Sequence, residues 1–207
     1  MINKKVLIFD FDGVICDSVN IKTDAFYQMY IKYGDKIAKK VKEYHLMHGG
    51  ISRFFKIKYF HKEYLNIELN NSELNSLCED FSNIVLNSVI SSSYLPGVME
   101  FIKKHKSDKK IFICTGTPQN EIDFILKNKN INDFFDGVYG SPDSKEFIIN
   151  SIIKTNHFKR KDIVFFGDSE TDLVAAKHTK IDFIAINYDK KLLPNDIISY
   201  PNFINLL

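Results

Sequence analysis

Cysteine is scarce in this 207-residue chain: Cys16, Cys78 and Cys114 stand far apart, in no Cys-x-x-Cys spacing. Their odd number supports neither a disulfide framework nor a thiolate metal site. The six histidines form no ligand pair at helical spacing, so zinc is not expected. An excess of charge of one sign is lacking too. Lys and Arg total 28 against 26 Asp and Glu, a formal net charge of +2, which makes no electrostatic case for nucleic acid or an anionic membrane as partner. The lysine-rich stretches 39–42 and 103–106 read as solvated helix faces. At the amino end Lys4 and Lys5 precede only four apolar residues before Asp10 interrupts them, too few for a signal peptide or a spanning helix. A cytoplasmic protein is the expectation, with a monomer as the default.

What is present is ample core material. With 44% hydrophobic and 26% charged residues, the chain can bury one sizeable core, or a core with a modest insertion, and disorder is not expected. Its most informative segment is Val6-Leu7-Ile8-Phe9-Asp10-Phe11-Asp12-Gly13, an apolar strand running into two carboxylates and a glycine. Packing does not account for such an ending. Removing one carboxylate from water is costly and a second beside it adds repulsion, so the pair calls for a bound cation or a chemical task.

Beyond this strand the pattern is helical up to about Ile90. Ile21 to Tyr33, Ile51 to Leu65 and Glu73 to Val89 carry apolar residues at three and four spacing, and Asn70 with Glu73 has the form of a capping box. Phe54, Phe55, Tyr59 and Phe60 are expected in the core of this block. Ser91-Ser92-Ser93 and Leu95-Pro96-Gly97 then break the pattern. Strand and helix alternate afterwards: helix over Val98 to His105, strand over Lys110 to Cys114, and helix over Pro118 to Lys127 with Thr117 as N-cap and Pro118 at the first helical position. Strands at Gly137 to Gly140, Asp162 to Phe166 and Asp182 to Ile186 follow, with helices at Ser144 to Thr155 and Ser169 to Lys177. This alternation predicts an α/β fold, a doubly wound, Rossmann-like parallel sheet made of residues 1–16 and 92–207, with residues 17–91 as an all-helical insertion over the carboxyl ends of the strands.

Three later strand ends offer complementary chemistry. Thr115-Gly116-Thr117 sets hydroxyls and open backbone amides just before a helix, a good phosphate cradle. Lys145 stands early in a helix, where a cation fits poorly unless it faces anions. Gly167-Asp168 repeats the strand-to-carboxylate ending, and Asp172 follows one helical turn later. Together with Asp10 and Asp12 these groups suit Mg2+ and a phosphoryl group, since Mg2+ prefers carboxylate, water and phosphate oxygens.

In order and spacing this constellation resembles the haloacid dehalogenase superfamily, in the subclass with a helical C1-type cap that includes phosphoglycolate phosphatases and β-phosphoglucomutases. The resemblance implies Asp10 as nucleophile and Asp12 as general acid and base. Thr115 falls on the second motif, Lys145 on the third, and Asp168 with Asp172 on the fourth. It further implies a Mg2+-dependent phosphatase acting on a small phosphorylated metabolite through an aspartyl-phosphate. The ion would be held by an Asp10 oxygen, the Asp12 backbone carbonyl and Asp168. Gly116 and Thr117 would join Thr115 in binding the phosphoryl oxygens, and Asp172 would orient Lys145 or a water from behind. Dehalogenases lack the second aspartate, so Asp12 favours phosphate esters over carbon–halogen bonds.

Within the insertion, His48-Gly49-Gly50-Ile51-Ser52-Arg53 is similar to the Gly-x-Ser-Arg loop of the β-phosphoglucomutase-like members. By that likeness Arg53 would contact a second anionic or hydroxyl-bearing part of the substrate, with Lys56 a weaker companion. A surface ion pair for Arg53 is an equal expectation. Lys22 stands where the mutases carry a histidine, which weakens a sugar phosphomutase as the alternative. Phosphonoacetaldehyde hydrolase, which uses a cap lysine, ranks third because neither Lys22 nor Lys56 matches its motif. A non-catalytic protein that keeps a phosphate pocket and engages a partner through the cap is the rival outside enzymes.

Overall fold

The computed structural model describes residues 3–188 and 194–207. Six strands form one parallel sheet in the order β3-β2-β1-β4-β5-β6: β1 (Val6–Phe9), β2 (Lys110–Pro118), β3 (Gly137–Ser141), β4 (Ile163–Gly167), β5 (Asp182–Ile186) and β6 (Ser199–Tyr200). The chain winds outward from β1 through β2 to β3, then returns to the other flank of β1 for β4 to β6. The order therefore reverses between β1 and β4, where the carboxyl ends of an open α/β sheet leave a crevice for ligands. Asp10 and Asp168 end those two strands.

Four helices intervene between β1 and the rest of the sheet: α1 (Val19–Tyr30), α2 (Asp35–Met47), α3 (Arg53–Leu65) and α4 (Asn71–Ser91). Helices α5 (Val98–His105), α6 (Gln119–Asn128), α7 (Lys145–Asn156) and α8 (Glu170–Thr179) connect the later strands. The box at the start of α4 is formed: the Glu73 N–H donates to Asn70 Oδ1 at 3.0 Å, and the Asn70 N–H donates to Glu73 Oε2 at 2.9 Å. Helix α2 is an element the periodicity leaves unassigned, and β6 is too short to register as a strand.

Because successive strand residues face opposite sides, Leu7 and Phe9 enter one apolar cluster while Val6 and Ile8 enter another. The first cluster continues from the sheet into the helical insertion through Phe26, Phe60, Phe81 and Val85. Phe9 stacks on Phe166 with ring centroids 4.8 Å apart, which ties the two central strands together on that side.

Two local expectations are corrected. Helix α6 begins at Gln119, with Pro118 in extended backbone at the cap position and paired with Ser141 of β3; Thr117 lies in the strand and does not cap the helix. Its hydroxyl is used elsewhere, as described below. Of the aromatic run expected in the core of the insertion, Phe60 is buried and Phe54 partly so, whereas Tyr59 is half-exposed and Phe55 faces out with 69% exposure. At 3.6 residues per turn Phe55 falls on the face opposite Ile57 and Phe60.

Candidate active site

Four strand ends converge beneath the insertion, around a cavity of about 750 Å³. At its floor Asp10 leaves β1 with its N–H donating to the Phe166 carbonyl at 2.9 Å, and its Oδ1 accepts from the Phe11 N–H at 2.6 Å. Its Oδ2 accepts from Lys145 Nζ at 2.6 Å, and the same ammonium donates to Asp172 Oδ1 at 2.6 Å. A lysine in the first turn of α7 opposes the helix dipole. Two buried carboxylates more than offset that cost, and despite burial they hold Lys145 above its ordinary range and thus charged.

The balance for the acids is different. Burial, with the Asp172 and Asp12 charges, pushes Asp10 up to about 6 although Lys145 pulls the other way. Burial and the neighbouring Asp10 and Asp172 push Asp168 well above the carboxylate range. Oxygens of Asp10, Asp168 and Asp172 lie within 4.8 Å of one another, three carboxylates against one ammonium. Asp172 is committed on both sides, to Lys145 and to the Ser169 hydroxyl, which donates to Oδ2 at 2.6 Å. Asp168 has no hydrogen-bond or ion-pair partner among the described residues. An all-oxygen donor set with surplus negative charge and one open carboxylate fits a hard divalent cation. Gly13 belongs to the same arrangement: its φ is +77°, and a Cβ there would stand 2.0 Å from Asp168 Oδ2, so only glycine lets the two strand ends meet.

Asp12 points to the other side, where Ser18 Oγ donates to Oδ1 at 2.5 Å and Thr117 Oγ1 donates to Oδ2 at 2.9 Å. Lys22 Nζ forms an ion pair with Asp12 Oδ2 and donates to Thr117 Oγ1 at 2.8 Å. Burial alone would raise Asp12, but Lys22 and these hydrogen bonds outweigh it and hold the carboxyl below its usual range. Asp12 is thus a carboxylate at rest, and its side chain lies outside the metal-suited cluster. Thr115 is buried beside it, accepting from the Thr117 N–H at 3.3 Å. Gly116 lies under the insertion, where a Cβ would stand 2.6 Å from the Gly50 carbonyl oxygen.

Arg53 reaches the cavity wall with its guanidinium already engaged. Nη2 donates to Glu121 Oε1 of α6 at 2.6 Å, Nη1 donates to Ser82 Oγ at 2.5 Å, and Ser82 in turn donates to Glu121 Oε2 at 2.8 Å. The surface pair expected for Arg53 is therefore a buried one that joins the insertion to the sheet's helices. Truncating one member of such a pair strands the other charge. Glu121→Ala is expected to lower stability by about 3 kcal/mol in urea unfolding, with Arg53→Met in the same chain recovering most of the loss. A loss under about 0.5 kcal/mol would show the pair to be solvated.

Ser18 and His45 join the site without being singled out by motif spacing, beside Lys22 and Lys56, which the resemblance already brings forward. Ser18 and Lys22, four apart on the helix after Asp12, share one face, and that spacing is the available signal. His45 and Lys56 line the cavity from α2 and α3. Their meeting has no signature in spacing.

A family model for haloacid dehalogenase-like hydrolases matches residues 7–186. The phosphorylated carbohydrates phosphatase of Thermotoga maritima is 25% identical, over 91% of this chain and 90% of that protein. The phosphoglycolate phosphatase of Pseudomonas fluorescens is 23% identical, over 89% of this chain and 70% of its own length. Among solved structures, β-phosphoglucomutase from Clostridium difficile superposes with a TM-score of 0.80 at 20% identity, covering 99% of this chain and 93% of that one. At that identity the likeness is one of fold.

Proposed function

The chain belongs to the haloacid dehalogenase-like hydrolases, and from that membership we propose a Mg2+-dependent phosphatase that hydrolyses a small phosphate monoester through an aspartyl-phosphate on Asp10. The observation that carries this reading is the pairing of a buried, Lys145-bound carboxylate at Asp10 with one at Asp168 that has no partner among the described residues. The phosphatase names of the two curated relatives point the same way.

Asp10 attacks phosphorus and the ester P–O bond breaks; the departing oxygen takes a proton from Asp12, which draws it from the Lys22 ammonium paired with it, and the proton that Asp12 later takes from water returns to Lys22. Water then attacks the phosphorus of the acyl phosphate. Asp12, held as a carboxylate, accepts the water's proton while the bond to Asp10 breaks and inorganic phosphate leaves. Lys145 holds Asp10 in position throughout, and Asp172 holds Lys145. Thr115 and the amides of Gly116 and Thr117 receive the non-bridging oxygens. Asp10, Asp168 and the Asp12 backbone carbonyl would hold Mg2+, which supplies positive charge against the anionic nucleophile and phosphoryl group. Arg53 belongs to the wall of the site, its guanidinium committed to Glu121. The helical segment 17–91 serves as the cap that closes over the cavity and excludes water.

Phosphate release from a panel of small phosphomonoesters tests this. Release should require Mg2+, stop with EDTA and resume when the ion is restored. Metal-independent release, or none across the panel, would refute the reading. Isomerisation of a sugar phosphate without free phosphate would mark a mutase, and stoichiometric capture of a protein without turnover a binding protein.

A further inference from the structure

Behind the loop that walls the catalytic cavity lies a second cleft, of about 470 Å³. Gly50 and Ile51 of that loop line both spaces, so one strip of chain separates them. The insertion contributes Ile51 and Phe55 to the cleft, and the sheet's side contributes Pro142, Val174 and Ala175. These walls are left uncovered: Phe55 is 69% exposed and Val174 40%, and Phe147, which follows the wall residue Glu146 on α7, is 59% exposed. A single exposed apolar side chain is ordinary, but three large ones from three helices beside one concavity mark a binding surface. The charge of the cleft is one-sided. Asp143, Glu146 and Glu170 line it; apart from the His48 imidazole its one basic side chain is Lys145, which is spent on Asp10 and Asp172. Of the three acids only Glu146 has an ion-pair partner among the described residues, His178 at 3.0 Å. They stand at the start of α7 and α8, where about half a positive charge at each helix end does not balance them. The Ser141 hydroxyl, also on the wall, is buried and has no hydrogen-bond partner among the described residues. A buried hydroxyl left open calls for an explanation, and the head group of a ligand supplies one.

We propose that this cleft is a second binding site, for an organic ammonium with an apolar body, and that its occupant restrains the loop shared with the catalytic cavity. The cation answers the unmatched carboxylates and donates to Ser141 Oγ, while the body covers Ile51, Phe55 and Val174. Asp10, Asp12, Thr115 and Asp168 do not line the cleft, so the site is separate from the one that receives phosphate. Binding needs no turnover; only its effect on phosphate release rests on the phosphatase reading. The path between the two sites is short. The Gly49 carbonyl accepts from Thr171 Oγ1 at 3.0 Å, and a Cβ on Gly50 would stand 2.0 Å from Thr171 Oγ1 and 3.0 Å from Lys145 Nζ. The loop thus rests on α8 and on the lysine that holds Asp10. A ligand seated between Phe55 and Val174 adds a second tie across the same boundary. It holds the insertion against the sheet, and opening for product release is slowed.

Three probes with one body and different head groups test the site: 2-phenylethylammonium, 2-phenylethanol and 3-phenylpropanoate. Each is titrated into the whole chain by ligand-detected NMR, with Mg2+ and inorganic phosphate supplied to occupy the catalytic acids. The ammonium should bind with a Kd of about 1 mM, about threefold tighter than the alcohol and at least about tenfold tighter than the carboxylate. Val174→Arg, which sets a cation at the cleft, and Phe55→Ala, which removes an apolar wall, should each weaken the ammonium about tenfold. Both positions are exposed, so both chains should fold. Ser141→Ala should weaken it about threefold, with folding intact because the hydroxyl has no partner to lose. Equal binding of the three probes, or ammonium binding that survives any one of these substitutions, overturns the site. In hydrolysis of p-nitrophenyl phosphate the ammonium should lower release saturably in the parent and not in Val174→Arg; binding without that effect rejects the restraint on the loop. Absence of hydrolysis in the parent with the binding preference intact rejects the phosphatase and keeps the site.

Discussion

Replacing Asp10 with asparagine should lower phosphate release by about four orders of magnitude or more, because the substitution removes the nucleophile and not an accessory. The same variant should be no less heat-stable than the parent in EDTA at pH 8, and this second result separates loss of chemistry from loss of fold. The folded protein raises Asp10 from the usual carboxylate range to about 6, chiefly by burial. A raised acid binds protons in the folded state that it has released in the unfolded one. Its stabilising contribution is therefore complete below about pH 4 and is lost as pH rises through about 6. At pH 8 the ionised group is a liability of about 3 kcal/mol, which a neutral asparagine does not carry. Thermal unfolding and a phosphate-release assay on one preparation check both parts. Residual activity above about 1% of the parent would place the nucleophile elsewhere.

Lys145→Met should fail in the opposite manner, losing both activity and stability. The ammonium is the one cation in direct contact with Asp10 and Asp172 among the described residues. Without it, buried carboxylates face one another with no counter-charge in contact. Breaking a buried pair from one side costs about 3–5 kcal/mol, and release should fall about a thousandfold as the nucleophile loses its positioning partner. The stability deficit carries a pH signature. With the cation gone, the folded-state affinity of Asp10 for protons rises further, so the variant regains stability relative to the parent as pH falls from 8 towards 5. Urea midpoints across that range measure it. A deficit that does not change with pH would mean that methionine disrupts packing and not charge balance.

The sheet and the polar floor of its cavity are legible in the sequence because they are local. Each strand that matters is an apolar run of four or five residues closed by a residue with no packing reason to be there, as at Asp10, Thr115 and Asp168. Lys145 could be read from its discord with the helix dipole. Thr117 departs from the expected cap because two demands compete for its hydroxyl, accepting from the amides at the start of α6 or donating to the Asp12 carboxylate after β1, and the charged acceptor takes it. Residue periodicity served the insertion less well. Its helices share an apolar cluster with the sheet and also roof a polar cavity, so inward does not mean apolar there, and Phe55 faces out while Lys56 beside it is buried. The contact between Lys56 and His45 joins residues eleven apart in sequence on two different helices, and no short-range pattern encodes it.

The bridge from Arg53 to Glu121 bears on how relatives of this chain can diverge. The acidic partner is carried by α6, in the scaffold half, while the guanidinium and Ser82 belong to the segment expected to choose the ligand. Transplanting a foreign lid onto this scaffold would strand a dehydrated glutamate beneath it. Exchange of specificity by modular recombination is therefore penalised, and new ligand preferences on this framework are reached more readily by point changes around the roof than by swapping it whole.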